Sequence, residues 1–287
     1  MHHLPEKPDW LNRVTIVGCG LLGGSVGLSL RRSGIRVQGY ARKQATCESA
    51  MLAEAVDEAS VDLKTACEGA DAVVIASPVD RVAELAGQVG PMVGDDCLIT
   101  DVGSTKGLIV REVAAIGTAV ADRFVAAHPI AGSEKTGVEN ATATLLDGKV
   151  VILTPDDQTL DARLARAREF WLQTGGRLVE MTPDDHDERL AEVSHVPHLI
   201  ASLLASLLSE NSGPLIGSGW TDMTRVASGD PEMWSAICEH NRGAILSQLD
   251  RLERQLRELR GLVSQDDAMP LRQWLVDAKR KKDETTS

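Results

Sequence analysis

Two polar clusters in this chain follow directly on apolar runs, and they are the first candidates for chemistry. Asp101-Val-Gly-Ser104-Thr-Lys106 follows residues 97–100, and Ala127-His128-Pro-Ile-Ala-Gly-Ser-Glu134-Lys135 follows residues 124–126. A histidine at a strand end, fixed by the next proline and facing a ligand cleft, is placed like a general base; a hydrogen-bonded structural histidine is the alternative. Ser104 could hydrogen-bond a reacting hydroxyl, or cap the helix that starts near it. Farther along, Ser194-His195-Val-Pro-His198 sets two histidines three apart on one helix face. That spacing could suit a metal, but no third ligand accompanies it, so no metal is expected and an anionic substrate is the better reading. Arg225, in Thr221-Asp-Met-Thr-Arg225, could fork onto a carboxylate, or form an ordinary surface ion pair.

The element that must position these groups lies near the start. Residues 14–17, VTIV, have the composition of a buried parallel strand. Gly18-Cys-Gly20-Leu21-Leu22-Gly23 follows at once, then an apolar helical run ending at Gly34 and a second strand over residues 35–40. Strand, glycine loop, helix and strand at this spacing predict a dinucleotide site: Gly18 turns the chain, Gly20 admits a pyrophosphate, and Gly23 lets helix and sheet pack closely. The phosphates then meet the unpaired N–H groups and positive dipole end of the helix. An NAD site usually has an acidic residue after the second strand, on the ribose hydroxyls. Here that place reads Tyr40-Ala41-Arg42-Lys43. The two cations could pair with a 2′-phosphate, which favours NADP over NAD, or simply open a solvated helix. Ser77-Pro78 and Asp101, at the ends of the following strands, complete the expected cofactor-binding set.

Alternating strand and helix signals run to about residue 182 and predict an α/β, Rossmann-type, doubly wound parallel sheet over residues 1–182. Its strands are expected to include residues 70–78, 97–102, 124–128, 149–154 and 177–181. Beyond Thr182-Pro183 helical periodicity takes over, which predicts an all-α substrate-binding and dimerisation domain over residues 183–287. Apolar residues spaced three and four apart run from Leu190 to Leu207, with Pro197 expected to kink that helix or start a new one. Asp230-Pro231 caps a further long helix. Within it Ile245, Leu249, Leu252, Leu256, Leu259 and Val263 form a seam that wants another helix against it, so a homodimer is expected, with an intramolecular bundle as the alternative. With 30 Lys and Arg against 42 Asp and Glu, the net charge is −12, which argues against nucleic acid or an anionic membrane as partner. No apolar run approaches the roughly 20 residues of a membrane span or forms a signal core, and five scattered cysteines form no CxxC pair. Reduced thiols and a cytoplasmic location follow as expectations.

Taken in order, GCGLLGGS, SPVD, DVGSTK, HPIAGSEKTGVENA, HDERLAEVSHVPH and TRVASGDPEMW resemble the prephenate/arogenate dehydrogenase family of tyrosine biosynthesis, over nearly the whole chain. The resemblance implies oxidative decarboxylation of prephenate to 4-hydroxyphenylpyruvate, or of arogenate to tyrosine, with hydride passing to NAD or NADP. It implies that His128 draws the proton from the ring hydroxyl and that Ser104 orients that hydroxyl. It places Arg225 on a substrate carboxylate, His195 and His198 along the substrate pocket, and Glu134 at its mouth. Some relatives carry Lys or Arg before the equivalent of Arg225, where this chain has Trp220-Thr221, so the substrate side-chain preference stays open. The residues after Leu262 are too few for the regulatory domain some relatives carry, so tyrosine inhibition would be competition at the active site. Two rivals share the glycine fingerprint. A β-hydroxyacid dehydrogenase would rely on a helical-domain lysine, and a non-catalytic dinucleotide sensor would need no Ser104/His128 pair.

Overall fold

The computed structural model describes residues 4–131 and 135–285. Buried apolar strands alternate with helices from the start: β1 (Arg13–Val17), α1 (Leu21–Arg32), β2 (Arg36–Tyr40), α2 (Gln44–Leu52), β3 (Glu58–Ser60), α3 (Leu63–Cys67), β4 (Ala72–Ile75), α4 (Val82–Val89), β5 (Leu98–Asp101), α5 (Gly107–Ile116), α6 (Thr118–Ala121) and β6 (Phe124–Val125). These strands form one sheet in the order β3-β2-β1-β4-β5-β6, every pair parallel. The chain leaves β1 toward β2 and later returns to β4 on its other side. That reversal opens a crevice at the strands' carboxyl ends, where the glycine loop sits. Strands β1, β4 and β5 are buried on both faces, as helices on both sides of a parallel sheet require.

The expected strand over residues 124–128 divides in two. After β6 the chain enters β7 (Ala127–Pro129), which belongs to a second, three-stranded sheet with β8 (Val150–Leu153) and β9 (Arg177–Glu180). β7 runs antiparallel to β8, and β8 parallel to β9. The main chain changes partners here because the Asp101 carboxylate takes the Ala127 N–H at 3.0 Å, while the Ala126 carbonyl accepts from Thr154 N at 3.0 Å. His128 therefore stands on the small sheet, beside the large one. α7 (Asp161–Leu172) links β8 to β9 and buries Phe170 and Trp171 in the core.

Past Thr182, whose side chain caps α8 (Pro183–Leu190), the predicted helical run is interrupted by a single π turn, Ala191–His195. α9 (Val196–Ser206) then starts with Pro197 in its first turn, where a missing N–H costs little. α10 (Ser218–Thr224) and α11 (Pro231–His240) follow, α11 capped by Asp230, which accepts from Met233 N at 2.8 Å. The long helix expected from residue 231 breaks at Asn241, and α12 (Arg242–Val263) and α13 (Met269–Thr285) complete the chain. Two compact units result, one up to Arg242 and one from Gly243 onward. This differs from the expected division at residue 182, because α8 packs on α5 and α11 on the turn Val79–Arg81, which joins those helices to the sheet. Among the described residues no helix is long and apolar enough to cross a membrane.

Candidate active site

The glycine loop opens onto a cleft of about 830 Å³, lined by Gly18, Gly20, Arg42, Lys43, Ser77 and Pro78, and closed on another side by Asp230, Met233 and Ala236. Gly18 has φ +108, and a methyl there would overlap the Ala76 carbonyl. A methyl on Gly23 would strike the Gly18 carbonyl and Ile16, so that glycine serves helix–sheet packing. At Gly20 a methyl would meet nothing within 4 Å, so packing does not demand a glycine there, and the residue lines the cleft. No side chain caps α1, so its first N–H groups remain available to an anion. The residues present therefore fit a dinucleotide. α2 likewise has no side-chain cap and no acidic residue in its first turn, directly after Arg42 and Lys43. Leu21 and Leu22 lie in the first turn of α1, outside the cleft lining, with Leu22 packed on the core.

Asp101 does not join the cofactor set. It is fully buried, pairs with the equally buried Lys106, and accepts from Gly103 N at 2.8 Å and Ala127 N at 3.0 Å. Lys106 in turn donates to the Ala127 carbonyl at 2.8 Å. The ion pair thus clamps both main-chain groups of the residue before His128. Its carboxylate has no room for a ribose. Burial lowers the Lys106 pKa, and Asp101 opposes that shift.

His128 is buried, with Nδ1 2.9 Å from His186 Nε2. His186 Nδ1 lies 2.8 Å from Asp187 Oδ1. Burial, reinforced by His186, Lys106 and His195, holds the His128 pKa well below the ordinary imidazole value, so the ring is neutral at pH 7. Burial also lowers His186, despite its bond to Asp187. At Asp187, burial works against the charge, but bonds from His186 and the Lys106 and Gly107 N–H groups prevail and hold the carboxyl below its usual range. Those two N–H groups, both at 2.8 Å, are the start of α5. Asp187 therefore caps α5, and half-buried Ser104 does not.

His195, in the π turn, accepts from Asn241 Nδ2 at Nδ1 over 3.1 Å, and the same amide reaches the Asp187 carbonyl at 2.7 Å. Burial lowers the His195 pKa to about 4, and the Ser104 main chain beside it partly opposes that shift. His198 stacks flat on Trp234, centroids 3.5 Å apart, with the Val226 main chain next to it. Arg225, exposed, heads the turn Arg225–Ser228 that packs on α9, so it stands one residue from that contact. His128, Ser104, His195 and His198 are thus brought into one connected region, and α11 joins it to the cofactor cleft. Glu134 lies outside the described residues. Sequence reasoning missed His186, Asp187, Lys106, Trp234 and Asn241 as site members. His186 and Asp187 sit in the charged first turns of a helix, where no local pattern signals burial, and only their place in the HDERLAEVSHVPH run set them apart.

Comparison with known proteins bears on this arrangement directly. The model of the prephenate dehydrogenase nucleotide-binding domain matches residues 26–180, and that of the prephenate dehydrogenase dimerization domain matches residues 182–277. Prephenate dehydrogenase of Bacillus subtilis is 32% identical over 279 residues, which is 94% of this chain and 75% of that protein. The crystal structure of A. aeolicus prephenate dehydrogenase in complex with hydroxyphenyl propionate and NAD+ superposes with a TM-score of 0.88 at 33% identity, covering 96% of this chain and 98% of that one. Synechocystis arogenate dehydrogenase superposes with a TM-score of 0.81 at 27% identity, covering 96% and 100%. With both halves matched in order, the chain belongs to the prephenate dehydrogenase family of nicotinamide-dependent oxidoreductases.

Proposed function

We propose that the chain oxidatively decarboxylates prephenate, with NADP as the preferred acceptor, giving 4-hydroxyphenylpyruvate for tyrosine synthesis. The observation that carries this reading is His128: a buried, neutral base on β7, within a chain matched by the family over both halves. When bound, the nicotinamide accepts the hydride from the ring carbon that bears the hydroxyl. His128 takes the hydroxyl proton as that carbon becomes a carbonyl, and Ser104 orients the hydroxyl. Loss of the ring carboxylate as CO2 then makes the ring aromatic, and the same oxygen regains a proton as a phenol. Arg225 holds a substrate carboxylate, and His195 and His198 line the pocket.

Gly18, Gly20 and the open α1 N-terminus receive the pyrophosphate, with Ser77 and Pro78 beside it. Arg42 and Lys43, at the uncapped start of α2, favour a 2′-phosphate over a bare ribose. Arogenate is the second substrate to weigh, because this chain has Trp220-Thr221 in the segment before Arg225 where some relatives carry Lys or Arg, so the side chain of the substrate is less tightly specified. The half-exposed seam of Leu252, Leu256 and Val263 on α12, within the stretch matched by the dimerization model, supports a homodimer.

Reduced-cofactor absorbance with prephenate or arogenate, each with NAD or NADP, tests the reading. Prephenate with NADP should give the highest kcat/KM, and silence in all four mixtures would refute the activity. Arg42→Ala should weaken NADP binding by about tenfold or more while leaving NAD nearly unchanged, since it removes one charge-assisted contact of about 1.5–3 kcal/mol. Equal weakening of both would remove the 2′-phosphate assignment.

A further inference from the structure

The chain of contacts behind His128 has a fixed direction. A carboxylate only accepts hydrogen bonds, so His186 Nδ1, 2.8 Å from Asp187 Oδ1, carries a proton. Burial keeps His186 neutral at pH 7, so its Nε2 is bare. His128 Nδ1, 2.9 Å from that nitrogen, must then donate to it. This leaves the lone pair of His128 on Nε2. We propose that Asp187, acting through His186, sets the tautomer of His128, selects Nε2 as the atom that takes the substrate proton, and balances the imidazolium that forms. His186 and Asp187 are thus positioning residues, in the way that a carboxylate behind a catalytic histidine fixes its ring.

Two features strengthen the assignment. The same carboxylate caps α5 through Lys106 N and Gly107 N, so one group fixes both the base and the end of the loop that carries Ser104. The groups facing His128 otherwise oppose its charged form: Lys106 from the loop after β5 and His195 from the π turn. Asp187 on α8, beyond His186, is the anion of this relay that can offset them; Asp101 is already paired with Lys106.

The proton balance follows from the proposed activity, on which the catalytic part of this inference rests. The substrate O–H bond breaks, its electron pair stays on oxygen, and the proton binds Nε2. When CO2 has left, the same proton returns to that oxygen. The proton is borrowed, so the Nδ1 protons of His128 and His186 stay in place and no exit to solvent is required.

Nitrogen-15 NMR of the full chain labelled at histidine reads the tautomers directly, with His128→Asn and His186→Asn spectra for assignment. At pH 7.5 the result expected is His128 protonated at Nδ1 and bare at Nε2; protonation at Nε2 would overturn the proposal. In kinetics, Asp187→Asn should lower kcat by about 10²–10⁴-fold. Its acid limb should also move to lower pH, since the imidazolium loses its counter-charge. A lower kcat with an unmoved limb would mean a merely structural role. If Asp187→Asn does not fold for want of the α5 cap, His186→Gln decides. Its amide oxygen can take the His128 Nδ1–H while Asp187 keeps its charge, so the tautomer should persist, whereas His186→Leu, which offers no acceptor, should release it; an unchanged His128 tautomer in His186→Leu would reject the relay. The correct tautomer without turnover of prephenate or arogenate would refute the activity and leave the relay standing. Turnover with the opposite tautomer would do the reverse.

Discussion

At the scale of the residue, the site is built from imidazoles that the fold keeps neutral. His128, His186, His195 and His198 all have pKa values below the ordinary 6.5, each chiefly through burial, with His195 at about 4. Neutral rings can accept protons and hydrogen bonds of defined direction, which a base and its supports need. The same burial has a consequence for stability. Between the unfolded pKa near 6.5 and the lower folded values, the unfolded chain binds more protons than the folded one. Stability from these groups is therefore complete above pH 6.5 and drains away as pH falls toward 4. Urea unfolding at pH 7.5, 6 and 5 should show the midpoint falling at each step, and a flat profile would mean that these rings are not buried neutral. His128, Ser104, His195 and His198 were all legible from strand ends and helix spacing. Asp101 was not, since sequence placed it at the cleft edge but could not tell that Lys106, five residues on, would fold back and bury it.

At the scale of the element, strands and helices with strong periodicity appear where the sequence predicts them, and the breaks do not. α2 spans Gln44–Leu52, whereas β3 is three residues of mixed polarity and leaves no pattern to read. The transfer of His128 to a second sheet depends on Asp101 taking the Ala127 N–H, a tertiary contact with no local signal. The π turn at Ala191–His195 and the break at Asn241 are of the same kind. Each spoils a regular helix, and each serves the site, one by placing His195 and the other by sending an amide to His195 and Asp187. The glycine loop allows a sharper statement, because its glycines are bare for different reasons. Gly23→Ala should lower the melting temperature by several degrees, since the new methyl meets main chain in the core. Gly20→Ala should cost at most about 1 kcal/mol of stability as an altered N-cap, yet weaken dinucleotide binding by tenfold or more. Thermal melts with cofactor titration separate the two. Intact cofactor affinity in Gly20→Ala would mean that the phosphates do not approach there.

At the scale of the whole molecule, the parallel sheet was legible in the alternating pattern and the glycine fingerprint, and the switch to helices at residue 182 was visible as a change of period, whereas the placing of Val150–Leu153 and Arg177–Glu180 in a second sheet was not. The compact units were not, because α8 and α11 are separate from the sheet in sequence but pack in space on α5 and on the turn Val79–Arg81. From Gly243 onward the chain keeps apolar residues at the surface, among them Leu246, Leu256, Val263, Leu275 and Val276. A surface of that kind on α12 and α13 is typical of an interface between copies. Light scattering with size-exclusion chromatography should give twice the chain mass, and Leu256→Glu together with Leu252→Glu should shift the species toward monomer. A monomeric parent protein would contradict the homodimer.

The central claim is that His128 is the base of a nicotinamide-dependent oxidative decarboxylation, and its most direct test is steady-state turnover of His128→Asn beside the parent, with dinucleotide affinity measured by fluorescence on the same samples. The account predicts kcat lower by about 10²–10⁴-fold with cofactor affinity within about twofold, because the side chain is outside the dinucleotide cleft and is needed only for the proton. Turnover near that of the parent would contradict it.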